Sequence, residues 1–131
     1  MRAVLALVIL PLLLAPDSSR AEDAGFMLCE ALPHITCVWS GDSFYLRGEM
    51  VRLSDAVAPQ RYTSECPAAS QLSWRSALRL RDLLNVAAFE IEPLDESQLA
   101  LVSRDEQSLG AQLIAEGLAR PRTQETPNWC G

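Results

Sequence analysis

Between residues 35 and 57 apolar and polar positions alternate in three short runs, 35–39, 43–47 and 50–57. Phe44 and Leu46, then Val51 and Leu53, recur at every second position, the period that sets one strand face on a core and the other toward water. Ser40-Gly41-Asp42 supplies a turn between the first two runs, and Arg47-Gly48-Glu49 a tight hairpin between the second and third. From Ala69 to Leu84 the period becomes helical. Leu72, Ser76, Leu80, Leu83 and Leu84 fall on one side, while Arg75, Arg79 and Asp82 fall on the other. Pro67 suits the first turn of that helix, where the amide hydrogen it lacks has no partner to lose. Arg61 to Cys66 reads as an exposed loop before it. Val86–Glu92 and Gln98–Ser103 then read as two further strands, so five strands carrying an amphipathic helix are expected.

The start of the chain follows neither period. Met1-Arg2 leads into a run from Ala3 to Ala15 that is almost entirely Leu, Val, Ile and Ala. A charged start with so short an apolar segment falls below the roughly 20 residues a membrane span requires. Ser19-Arg20-Ala21 meets the small-x-small rule for cleavage, so residues 1–21 are read as an export signal and 22–131 as a single domain. A secreted or periplasmic location follows, with no stable membrane span after cleavage.

Export changes how the cysteines are read. Cys29, Cys37, Cys66 and Cys130 all lie after the leader, and an even count in a small exported domain favours disulfides over metal ligation. No Cys-x-x-Cys occurs, and His34 stands outside any ligand spacing, so a zinc site is not expected. Four cysteines allow three pairings. The favoured one joins Cys29 to Cys37 and Cys66 to Cys130, the second bridge closing a long loop for about 4 kcal/mol.

Charge narrows the partners. The net charge is −6 and all eleven basic residues are arginine. Cleavage of the leader removes Arg2 and Arg20 against Asp17 and leaves the remainder more acidic. A nucleic-acid binder gains most of its non-specific affinity from Lys/Arg contacts that release counterions, so duplex nucleic acid is not an expected partner. Arg75, Arg79 and Arg81 read as a solvated helix face. The partner left open is a protein or a small ligand.

The segment Ser40-Gly41-Asp42-Ser43, the hairpin after it, and Arg52-Leu53 through Val57-Ala58-Pro59-Gln60 resemble the opening of the staphylococcal nuclease (thermonuclease) family. Its pattern there is Asp-Gly-Asp-Thr, a hairpin, then Arg-Leu-x-x-x-Asp-x-Pro-Glu. Leu109-Gly110-Ala111-Gln112-Leu113-Ile114-Ala115-Glu116-Gly117 is similar to the family's second helix, with glycine as its C-cap. The resemblance spans about residues 35–120 and implies an OB-fold: a five-stranded barrel with two helices, mainly β with helices, and a shortened third helix toward Asn128-Trp129-Cys130-Gly131. It also implies a chemistry, in which one calcium ion held by two aspartates, a glutamate acting on the attacking water and two phosphate-clamping arginines cut DNA or RNA.

Little of that chemistry is carried over. Asp42 and Arg52 match a metal-binding aspartate and the first arginine, whereas Ser40 and Val57 stand where the family has aspartates, Gln60 where it has the glutamate, and Ser97 where it has the second arginine. Calcium takes 6–8 oxygen ligands and its affinity rises with carboxylate count, so Asp42 alone binds it weakly at best. Glutamine cannot accept the proton that a general base removes, a contribution of about 10²–10⁴-fold. Asp55, two residues before Val57, is the one carboxylate able to stand in. Ordinary roles are also open: Asp42 as a turn residue, Arg52 as partner of Asp42 or Asp55, Trp39 and Trp129 as core and cap. The expectation is an exported, thermonuclease-like OB-fold protein without calcium-dependent catalysis or other cofactor, a pseudoenzyme acting as a binding or structural module. The alternative is a weak or rewired calcium-dependent nuclease acting on DNA or RNA phosphodiesters.

Overall fold

The computed structural model describes residues 25–63 and 65–131, and the proposed leader, 1–21, lies outside the described residues. The elements are β1 (Met27–Leu28), β2 (Cys37–Ser40), β3 (Ser43–Leu46), β4 (Glu49–Leu53), β5 (Ala56–Val57), α1 (Pro67–Val86), β6 (Glu90–Pro93), β7 (Leu99–Arg104), β8 (Gln107–Ser108), α2 (Leu109–Ala115) and β9 (Arg120–Pro121). They form an α+β structure in which one mixed sheet runs β1-β2-β3-β4-β7-β6, β8 pairs with β7, and β5 and β9 form a separate ladder. β4 and β7 are parallel, as are β1 and β2, and the remaining pairs are antiparallel.

The hairpin expected at residues 47–49 joins β3 to β4, with Leu46 opposite Glu49. Arg47 and Gly48 both have positive φ, 51° and 84°, the turn whose twist matches that of paired strands. The expected third strand, 50–57, is two strands instead. The chain leaves the main sheet at Ser54 and Asp55, and β5 pairs with β9, a segment from the far side of α2 whose pairing no local pattern announces.

Helix α1 starts at Pro67, with Cys66 Sγ accepting the Ala69 N–H at 3.4 Å as its cap. It runs on to Val86, which the sequence pattern places in a strand. The extension is stabilised from outside: the Arg104 guanidinium, arriving on β7, donates to Leu83 O, to Ala87 O at 2.7 Å and to Ala88 O at 3.0 Å. A cation on the last carbonyls of a helix satisfies groups that have no partner within it. Ser76, Leu80, Leu83 and Leu84 face the core as expected, joined by Ala69, Ser73 and Ala77, while Leu72 is partly buried against it. These small residues let the sheet come close. A Cβ placed on Gly41 would lie 2.4 Å from Ser76 Cβ, so the Ser40-Gly41-Asp42 turn packs directly beneath α1.

The core gathers Val38, Phe44, Leu53, Leu80, Val102, Leu109 and Leu113, all essentially inaccessible to water. Each such side chain contributes about 2 kcal/mol by its burial. Phe26, Phe44 and Phe89 meet in edge and tilted contacts with centroids 5.6–6.1 Å apart, bringing the residue before β6 against the β2–β3 end of the sheet. Among the described residues no ladder joins β6 to β2, so hydrogen bonds do not close the sheet into a barrel. Nor is there a third α-helix among them, shortened or otherwise. Pro121 sits in β9, and the chain beyond is tied back by a disulfide rather than coiled.

Both expected disulfides are formed. Cys29–Cys37 fastens β1 to β2 with Cα atoms 4.9 Å apart, and Cys66–Cys130 joins the start of α1 to the tail with Cα atoms 6.0 Å apart. Among the described residues no helix is long and apolar enough to cross a membrane.

Candidate functional site

Asp42 lies in the turn just before β3, beneath α1, and is 3% exposed. Its carboxylate is occupied by the protein itself. Oδ1 accepts from the Ser40 hydroxyl at 2.7 Å and Oδ2 from the Ala58 N–H at 3.1 Å. Ser40, fully buried, shares a further 2.7 Å hydrogen bond with the Ser43 hydroxyl. The residue where the resemblance implies an aspartate is therefore a donor to the aspartate that remains.

A cation stands beside Asp42, and it is not Arg52. Arg122, just beyond β9, places Nη2 4.0 Å from Asp42 Oδ2. Its guanidinium donates from Nε and Nη2 to Leu53 O, at 3.1 and 2.9 Å, and from Nη2 to Ala56 O at 3.2 Å, while its backbone N–H donates to Asp55 O at 3.2 Å. Burial lowers the Arg122 pKa, the Asp42 and Asp55 carboxylates oppose that shift, and nearby Arg52 reinforces it. Guanidinium remains protonated throughout, so the site carries a fixed positive charge.

Asp55 lies in the break between β4 and β5. Its Oδ2 accepts from the Ser108 hydroxyl, which also caps α2 by accepting the Ala111 N–H at 3.0 Å. Its Oδ1 is buried without a hydrogen-bond partner, packed where a Cβ on Gly110 would sit 2.2 Å away. Gly110 thus leaves room for a carboxylate against the first turn of the helix.

The other sequence candidates are dispersed. Arg52 is exposed on β4, its backbone N–H donating to Gln98 O at 2.9 Å, and its guanidinium makes no hydrogen bond among the described residues. Val57, half-buried, faces Arg120 in the β5–β9 ladder. Gln60 accepts the Trp39 indole N–H at 3.0 Å. Ser97 lies in the exposed β6–β7 turn, where its backbone N–H donates to Asp95 Oδ1 at 2.6 Å and its hydroxyl accepts the Leu99 N–H at 3.1 Å. Hydrogen bonds from the Ser97 side chain and backbone hold the Asp95 carboxyl below the usual range. Trp39 is half-buried, Trp129 lies under Arg120 with the guanidinium 4.6 Å from its ring, and His34 packs against Trp39 and Tyr45.

Two arginines escaped the sequence reading. One is Arg122, whose only signal was the Arg-Pro-Arg run at 120–122. The other is Arg61, assigned to an exposed loop but 4% exposed. It donates to Trp39 O at 2.5 Å and Cys29 O at 2.6 Å, with its guanidinium carbon 5.2–5.8 Å from the ring centres of Trp39, Tyr62 and Trp74. Three rings and two carbonyls explain how a guanidinium is accommodated there.

Asp42 is engaged on both oxygens, Val57 offers methyl groups, and among the described residues no cluster of three or more His, Cys, Asp or Glu side chains is placed to hold a metal. No protein-family model matches the chain, and a search of curated proteins finds no match.

Proposed function

We propose that this chain is an exported, thermonuclease-like OB-fold protein that lacks calcium-dependent phosphodiesterase activity and serves as a binding or structural module. The observation that carries this reading is the internal satisfaction of Asp42 by Ser40, Ala58 and Arg122. A carboxylate so engaged has little to offer a hydrated calcium ion. Gln60, in the position of the family's glutamate, has its side-chain oxygen on Trp39, and Ser97, in the position of the second arginine, stabilises a turn.

The strand order supports the OB-fold part. β2-β3-β4-β7-β6, with β4 and β7 parallel and α1 inserted before β6, is the order expected of such a barrel, and the Phe26–Phe44–Phe89 contacts bridge the side on which it would close. Export is supported by the leader pattern and by two disulfides, which persist in oxidising compartments.

A second reading keeps catalysis through Asp55. It is favoured by the unpartnered Asp55 Oδ1 and weakened by Arg122, a fixed positive charge 4.0 Å from Asp42 whose field also reaches Asp55. Incubating the oxidised protein with a fluorogenic oligonucleotide, in calcium and in chelator, separates the two. We expect no difference in cleavage. Calcium-dependent cleavage that Asp55→Asn or Gln60→Ala abolishes would overturn the proposal in favour of the nuclease.

A further inference from the structure

We infer that Arg122 is a built-in counter-cation: its guanidinium occupies a cation site formed by Leu53 O, Ala56 O and Asp42 Oδ2, with Asp55 adding negative charge. The inference rests on the reading that this site takes no calcium, and it explains why.

Two backbone carbonyls and a buried carboxylate converge on one guanidinium, at 2.9–3.2 Å for the carbonyls and 4.0 Å for the carboxylate. Carbonyl and carboxylate oxygens are the donors that hard cations such as calcium require. The Ser54-Asp55 break is what turns Leu53 O and Ala56 O toward one point, since a continuous strand would send successive carbonyls into its ladders. The cation is delivered by the chain. The β5–β9 ladder pairs Val57 with Arg120 and Ala56 with Pro121, which fixes Arg122 at the end of the ladder, and its own N–H bonds Asp55 O. Arg122 is only 21% exposed in its side chain, so an ion would have to displace it rather than bind beside it.

An arginine that merely fills space leaves an empty hollow when removed. A counter-cation leaves oxygen ligands and uncompensated negative charge. Replacing Arg122 with methionine therefore creates a divalent-cation site where the parent has none. With an affinity in the weak range of about 10⁻⁴–10⁻³ M, calcium at about 10 mM raises the melting temperature of Arg122→Met by roughly 5–10 °C, while the parent shows no rise. Arg122→Lys retains a positive charge and shows no calcium response. Asp55→Asn in the Arg122→Met background weakens calcium binding at least about tenfold, because affinity follows the local carboxylate charge.

Thermal unfolding of the full oxidised chain, followed by circular dichroism in chelator and in calcium, reads all of these. If Arg122→Met is unfolded in chelator, the inference requires that calcium folds it, since binding to the folded state alone drives folding. A folded Arg122→Met without calcium response, a variant that stays unfolded with calcium, or a response unaffected by Asp55→Asn each overturns the inference. None of these results bears on cleavage by the parent, so the inference and the proposed function fail separately.

Discussion

Truncating Asp42 to alanine removes the acceptor for two donors and the counter-charge of a third group. The Ala58 N–H is buried and loses its bond to Oδ2, a cost of about 1–3 kcal/mol for an unsatisfied donor. The Ser40 hydroxyl loses little, because Ser43 Oγ lies 2.7 Å away and accepts instead. Arg122 loses its carboxylate at 4.0 Å, and since its side chain is 21% exposed, screening limits that loss to about 1 kcal/mol. The sum is about 3 kcal/mol, a fall in melting temperature of roughly 12 °C or more for a domain of this size. Asp42→Asn separates the contributions. Its amide oxygen accepts the Ala58 N–H and its NH₂ donates to Ser40 Oγ, so only the charge is lost and the cost falls to about 1 kcal/mol. Urea unfolding in chelator measures both variants. If Asp42 were held ready for a metal, removing it would relieve the metal-free protein, and variants as stable as the parent or more so would refute the reasoning.

Two further predictions follow from ion pairs and caps elsewhere. Arg104→Met strips Leu83 O in the last turn of α1, and Ala87 O and Ala88 O just beyond it, of their donor and costs about 2 kcal/mol, with faster amide exchange over residues 83–88 by hydrogen-exchange mass spectrometry. At the other end of the helix pair, the hydrogen bond from Arg79 holds Glu116 below its ordinary 4.5, so their bridge stabilises the fold above that pH and is lost as pH falls through the lowered value. Both side chains are about a third exposed, so Glu116→Gln costs at most about 0.5 kcal/mol at pH 7, and the cost shrinks as pH falls below 4.5, when urea unfolding is compared with the parent.

Alternation around Phe44, Val51 and Leu53 and the helical stripe from Leu72 to Leu84 were legible because each is a local period. The disulfides were legible from parity and context. What escaped the sequence depends on partners remote along the chain. β1 and β9 are two residues long and exist only through β2 and β5, too short to show a period. The helix runs on through Val86, where Arg104 from β7 holds the carbonyls of Leu83, Ala87 and Ala88 on either side of it. The sequence offers Arg52 as a partner for Asp42 or Asp55, yet Arg122 stands beside Asp42, and a residue 80 positions away is invisible to any reading of spacing. That Ser40, Val57, Gln60 and Ser97 differ from the pattern the chain resembles was plain in the sequence; that Ser40 is a donor to Asp42 and Gln60 an acceptor for Trp39 depends on how the chain folds.

The unequal spans of the two disulfides set an order in time. A chain made from its N-terminus presents Cys29 and Cys37, separated by 8 residues, long before Cys130 follows Cys66 by 64. The short bridge can close while Cys66 is still without its partner, which withdraws two of the three thiols then present and leaves Cys66 nothing to mispair with. The tail bearing β9 and Arg122 is the part that the later bridge ties down. Were the short bridge to stay open, Cys29 and Cys37 would both be free to capture Cys66 before Cys130 arrives, so the short loop acts as a safeguard for the long one.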